Sequence, residues 1–144
     1  MKEMKETMRA AIFDVLEKMF YVFLEPVSDQ YSDYAMEASI QFSGAAKGEV
    51  RISVSEEMAK IMVRNLLGLD EKEITEQNIE DCIKEAANMI CGNFLGRLDS
   101  TKVFDLSIPS FSRRVRTDTQ GDNVCRLYFD SDGERFGATL TMIG

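Results

Sequence analysis

Asp81-Cys-Ile-Lys-Glu85-Ala-Ala-Asn88-Met-Ile-Cys-Gly92 is the stretch around which the rest of this chain can be ordered. It lies inside an amphipathic segment from about Glu76 to Leu98. At about 100° per residue, Ile79, Cys82, Ile83, Ala86, Ala87, Ile90, Phe94 and Leu98 gather on one side of a helix. Asp81, Glu85, Asn88 and Gly92 follow at steps of four, three and four, so they stack along the opposite side. The outer line reads acid, acid, amide, bare backbone. Exposed helix surfaces usually carry Lys, Glu or Gln, which are good helix formers, whereas Asn and Gly are poorer by several tenths up to ~1 kcal/mol relative to Ala. A central helix is therefore predicted with one face buried and the other composed for something besides helix stability.

Working outward, Ile74 before Thr75, with Ile79 beyond the cap, forms a hydrophobic staple at the start of this helix, and Gly96 marks where it should fray. Upstream, Ser55 caps a shorter helix over Glu56 to Leu67, which Gly68 stops, and Asp70-Glu-Lys-Glu73 is a charged link. Before that, Met36, Ala38, Ile40 and Phe42 alternate with polar residues, and so does Glu49 to Val54. Ser43-Gly-Ala-Ala-Lys-Gly48 joins them as a hairpin loop. It is no phosphate cradle, because it lacks the GKS/T ending and leads into a strand. Residues 4 to 24 read as a first helix ended by Pro26, whose apolar Met19–Leu24 run is buried either within the domain or against a second copy.

Downstream, Phe104, Leu106 and Ile108 alternate up to Pro109, and Ser110 to Asn123 is a polar connection carrying Arg113, Arg114 and Arg116. Cys125, Leu127 and Phe129 alternate, Asp130-Ser-Asp-Gly133 makes a tight turn, and Phe136, Ala138, Leu140 and Met142 alternate again. The order α-β-β-α-α-β-β-β predicts a single α+β domain over residues 1–144, an antiparallel sheet with helices packed on one face.

Composition narrows the function. The chain has 144 residues, 44% of them hydrophobic and 29% charged, the profile of an ordinary globular domain. A net charge of −8 argues against nucleic acid, whose phosphates demand clustered Lys and Arg. With no histidine, His-based triads, bases and metal sites are excluded. Cys82, Cys91 and Cys125 form no CxxC and read as small hydrophobes of a reducing cytosol. No apolar run approaches the ~18 residues of a membrane span, and the charged N-terminus is unlike a secretory signal, so a cytoplasmic location is expected.

The outer line has chemistry to offer. A carboxylate and an amide whose Cβ atoms are about 5–6 Å apart can address two neighbouring points on one target. The amide has donors and an acceptor, enough to hold a water and a phosphoryl oxygen together. Phosphoryl transfer asks mainly for in-line positioning and electrostatic support, and a neutral amide supplies positioning without repelling a dianion. Glu85 would suit a cation on the partner, and Gly92 lets a partner backbone approach. A metal site built on Asp81 and Glu85 would need oxygen ligands that one helix face does not supply.

Glu85-x-x-Asn88-x-x-x-Gly92, preceded by Asp81, resembles the signature of the CheC/CheX/FliY family of chemotaxis phosphatases. The Gly44-x-x-x-Gly48-x-Val50-x-Ile52 hairpin, the short helix after it and the strand-rich tail extend the resemblance along the chain. A single motif is similar to CheX, where CheC members carry two. The family pattern has a proline well after the Asn; Pro109 stands slightly closer, twenty-one positions on. The resemblance implies a phosphatase acting on the aspartyl phosphate of the response regulator CheY. Asn88 would orient the hydrolytic water, Glu85 would pair with the regulator's lysine, and Asp81 and Gly92 would contact the partner. The regulator, and not this chain, would hold Mg²⁺, and a homodimer is implied.

Plainer readings stand beside these. Asp81, Glu85 and Asn88 could be a solvated helix face, with Asp81 pairing with Lys84. Gly92 could serve helix packing, Asn93 reads as a satisfied buried amide, and the three arginines read as a solvated loop or as a receptor for an acidic patch. A non-catalytic adaptor that docks on a receiver domain would use the same helix face.

Overall fold

Among the described residues, seven antiparallel strands form one sheet in the order β1-β6-β7-β3-β2-β4, with β5 also on the outer side of β2. In this computed structural model, residues 2–116 and 121–143 are described. Residues 117–120 of the polar connection lie outside them. The elements are α1 (Lys2–Phe20), β1 (Glu25–Val27), β2 (Met36–Gly44), β3 (Gly48–Val54), α2 (Glu56–Leu67), α3 (Glu76–Leu98), β4 (Phe104–Leu106), β5 (Ser110–Ser112), β6 (Val124–Ser131) and β7 (Glu134–Met142). The predicted order is found, with the three-residue strands β1 and β5 added at the sheet edges.

Strand alternation sets the layers. Ile40, Val50 and Leu140 lie side by side across β2, β3 and β7, as do Ala38, Ile52 and Ala138, and all six are buried. These rows face the helices. Phe42 meets Phe94 of α3 edge to face at 6.2 Å, and Phe129 meets Phe13 of α1 at 5.5 Å. The opposite parity (Glu37, Arg51, Ser53 and Thr139) is polar yet buried on the far face. There, Arg116 closes over Glu37, its backbone N–H donating at 2.6 Å and its Nε at 2.9 Å. Glu49 receives the same guanidinium at 3.2 Å.

The first helix ends at Phe20 and not near residue 24. Asn65 of α2 donates its side-chain amide to the Phe20 carbonyl at 2.9 Å, and Tyr21 takes φ 52°, which turns the chain out of the helix. From there the run alternates, with Phe20, Val22 and Leu24 buried and Tyr21 and Phe23 exposed. The domain's own core thus takes half of this apolar stretch. At the other boundary, α3 passes through Gly96 without fraying and stops at Leu98. Buried Phe94 and Leu95 hold that last turn against the protein, so packing overrides the poor propensity of glycine.

Candidate functional site

The outer line of α3 is fixed at both ends. Thr75 caps the helix: its hydroxyl accepts from the Asn78 N–H at 3.1 Å, while the Asn78 side chain accepts from the Thr75 N–H at 2.9 Å. Arg113 bridges the starts of two helices, donating to both carboxylate oxygens of Glu76 at 2.7 Å and to Glu56. A turn and a half before the C-terminus, Asn93 donates to Asp14 of α1 at 2.8 Å and accepts from Arg97 at 2.6 Å. Lys18 pairs with the same aspartate at 2.6 Å. The Lys18 hydrogen bond first, then that of Asn93, holds the Asp14 carboxyl below its ordinary range. Asn93 is therefore satisfied as expected, though half-buried at the helix border and not buried, and it laces α1 to α3.

Between these anchors stand the sequence-predicted residues. Asp81 and Glu85 are exposed, Asn88 is half-buried and Gly92 is exposed, all on one helix. At about 1.5 Å rise per residue the line from Asp81 to Gly92 runs roughly 16 Å. Asp81 accepts from Gln77 at 2.8 Å, and Lys84 pairs with Glu80 at 3.0 Å, so the expected Asp81–Lys84 pair is replaced. No hydrogen bond or ion pair to another described residue engages the side chain of Glu85 or Asn88. An added Cβ at Gly92 would meet nothing within 4 Å, which removes helix packing as the reason for that glycine. The same is true of Gly96. Its place in the helix was legible in the sequence, but its openness depends on what lies around it.

Two clefts flank the line, and neither is visible in the sequence because each needs a second element. On the α1 side, Val15, Met19, Met89 and Gly92 line a cleft of about 410 Å³. On the β4 side, Gly92, Leu95, Gly96, Phe104 and Leu106 line another of about 320 Å³. Pro109 lies in the link between β4 and β5, both of which pair with β2. Arg113 and Arg116 are committed to ion pairs within the domain and are not a free receptor for an acidic patch. Arg114 is exposed.

The remaining chemistry is quiet. Cys82, Cys91 and Cys125 are free and buried; burial first, then the nearby Glu85 carboxylate, pushes the Cys82 thiol up to about 12, and burial alone does the same for Cys91. Among the described residues, no group of three or more Cys, Asp or Glu is placed to hold a metal ion. No described helix is long and apolar enough to cross a membrane.

Comparison with known proteins adds a family. The sequence profile of the chemotaxis phosphatase CheX matches residues 36–129, more than half of the chain. No curated protein matches the sequence. Among solved structures, chemotaxis protein CheX from Vibrio vulnificus superposes with a TM-score of 0.82 at 20% identity, covering 98% of this chain and 99% of that one. CheX in the CheX–CheY–BeF3–Mg²⁺ complex from Borrelia burgdorferi gives 0.74 at 20% identity, covering 96% and 97%. FliY from Thermotoga maritima gives 0.67 at 11% identity, covering 97% and 88%. At these identities the structures establish a common fold.

Proposed function

Because this chain belongs to the chemotaxis phosphatase CheX family, we propose that it hydrolyses the aspartyl phosphate of a CheY-like receiver domain. The observation that carries the reading is the pairing of Glu85 and Asn88 on adjacent turns of a helix anchored at both ends, neither side chain hydrogen-bonded or ion-paired to another described residue. The Borrelia burgdorferi complex supports the partner, since there a CheX of this fold is bound to CheY.

In this mechanism the ridge of α3 enters the receiver's phosphoryl pocket. The Asn88 amide accepts a hydrogen bond from the attacking water and donates one to a phosphoryl oxygen, holding water and phosphorus in line. Water adds to phosphorus, the acyl oxygen–phosphorus bond breaks, and the receiver's aspartate leaves as a carboxylate with inorganic phosphate as the other product. Half-burial of Asn88 limits the rotamers its amide can adopt, which favours a held geometry over a mobile one. Glu85 pairs with the receiver's lysine, which aligns the two proteins. Asp81 and Gly92 contact the receiver's rim. Mg²⁺ belongs to the receiver and needs no ligand from this chain. The setting is the cytoplasm, where receivers are phosphorylated.

Asn88→Ala tests the reading. Phosphate loss from a phosphorylated receiver should slow by on the order of 100-fold or more, with thermal unfolding unchanged. Decay at the full catalysed rate would overturn the assignment of Asn88. Glu85→Ala should act mainly on affinity, and unchanged affinity and rate would remove its role. Receiver binding by the wild type without accelerated phosphate loss would instead favour the non-catalytic adaptor.

A homodimer is part of the same proposal. Val103 and Ile108, flanking β4, are 87% and 90% exposed at the open edge of the sheet, where a second copy could cover them. Scattering mass in solution tests this: twice the chain mass supports it, and the mass of one chain overturns it.

A further inference from the structure

We propose that the cleft between α1 and α3 is a second anchor point for the receiver, taking an apolar side chain while Glu85 and Asn88 occupy the phosphoryl pocket. This rests on the phosphatase reading above and names the surface that sets affinity for the partner. The cleft is continuous with the proposed site: Met89 directly follows Asn88, and Gly92 opens the wall one turn on, about 6 Å along the helix. A stable protein interface covers about 800 Å² on each side, so a receiver seated on Asn88 lies over this cleft as well.

Its lining states what it would accept. Val15 forms a buried base, Met89 is half-buried, and Met19 is 42% exposed. Thioethers are polarizable and have several rotatable bonds, so a methionine-lined cleft adapts to an incoming apolar group. Polar groups at the rim pair with one another, Asn93 and Lys18 both donating to Asp14. An occupant is therefore asked for little polar complementarity and gains most by apolar burial. A lysine or glutamate at position 19 would form helix as well as methionine does, so helix propensity does not account for an exposed thioether beside Gly92.

Met19→Glu tests the proposal, because an exposed side chain can be replaced without loss of fold. KM for the phosphorylated receiver should rise by about tenfold with kcat unchanged, and affinity for a CheY-like receiver loaded with beryllofluoride and Mg²⁺ should fall to match. Met19→Leu should restore wild-type values. Met19→Ser removes the thioether without adding charge, and a rise in KM of about two- to fivefold is expected; it serves in place of the glutamate variant if that one is less stable. Unchanged KM and affinity in a protein whose wild type dephosphorylates the receiver would overturn the cleft alone. A fall in solution mass on Met19→Glu with receiver affinity intact would assign the cleft to a second copy and overturn it too. If the wild type neither binds nor dephosphorylates the receiver, the phosphatase reading fails and takes this proposal with it.

Discussion

At Gly48, in the middle of the sheet, an added Cβ would stand 2.4 Å from the Thr141 carbonyl oxygen and 2.7 Å from the Phe42 ring. At Gly137, on the neighbouring strand β7, it would stand 2.4 Å from the Tyr34 hydroxyl. At Gly92 and Gly96, on the outer line of α3, it would meet nothing within 4 Å. The first pair is glycine because strands and covering side chains come too close for anything larger. The second pair lowers helix stability by about 0.8–1.0 kcal/mol each relative to alanine and has no packing to show for it. A surface held below its stability optimum is what a binding site requiring close approach is expected to look like.

Substitution separates the two regions. Gly48→Ala should have the largest effect, a loss of about 2–3 kcal/mol in urea unfolding, because the obstacle is backbone in a paired strand and cannot step aside. Gly137→Ala should lose about 1–2 kcal/mol, since the obstacle is the far end of a half-buried tyrosine that can give a little. If Gly48→Ala unfolds at the wild-type midpoint, the sheet glycines are as optional as the helix ones and the contrast disappears.

What the sequence disclosed follows the range of the forces involved. Ser55 and Gly68 bound α2 correctly, because an N-cap and a left-handed stop (φ 67°) act within one turn of chain. The outward line of α3 was legible for the same reason: periodicity is local. The end of α1 was not, because Asn65, forty-five positions away, takes the Phe20 carbonyl and Tyr21 accepts a left-handed turn that is unusual for a bulky residue. Strands β1 and β5 escaped detection because three residues carry no period, and only pairing with β6 and β2 defines them. Arg113 and Arg116 read as a solvated loop, yet their partners Glu56, Glu76, Glu37 and Glu49 lie on distant elements. Asn93 was recognisable as a satisfied amide, but its partner Asp14 is seventy-nine positions away. The clefts beside α3 belong to this long-range class.

Gly92→Ala carries the contrast from stability to function. The variant should be about 0.8–1.0 kcal/mol more stable than the wild type, since the new methyl meets no atom and improves helix propensity. If the receiver docks on this line as proposed, the variant should also bind it more weakly and dephosphorylate it with a higher KM, because the added methyl would stand in the way of its approach. A protein both more stable and fully active would leave Gly92 without a purpose in this scheme.

Gly96→Ala sharpens the last point by holding propensity constant and changing only position. Both glycines are open, both are helical, and both should gain about the same stability, so urea unfolding should not tell the two variants apart. They differ in distance from Asn88: one helical turn for Gly92, and two turns, roughly 12 Å, for Gly96. If the receiver's contact is centred on Glu85 and Asn88, the effect on KM should fall from Gly92→Ala to Gly96→Ala. An equal rise in KM would move the edge of the footprint past Gly96 toward the β4 cleft, where Leu106 is 38% exposed. A rise confined to Gly96→Ala would place the contact at the wrong end of the helix for Asn88 to reach the phosphoryl group. The ratio of the two KM values therefore measures how far along α3 the partner extends, with stability cancelled between the variants.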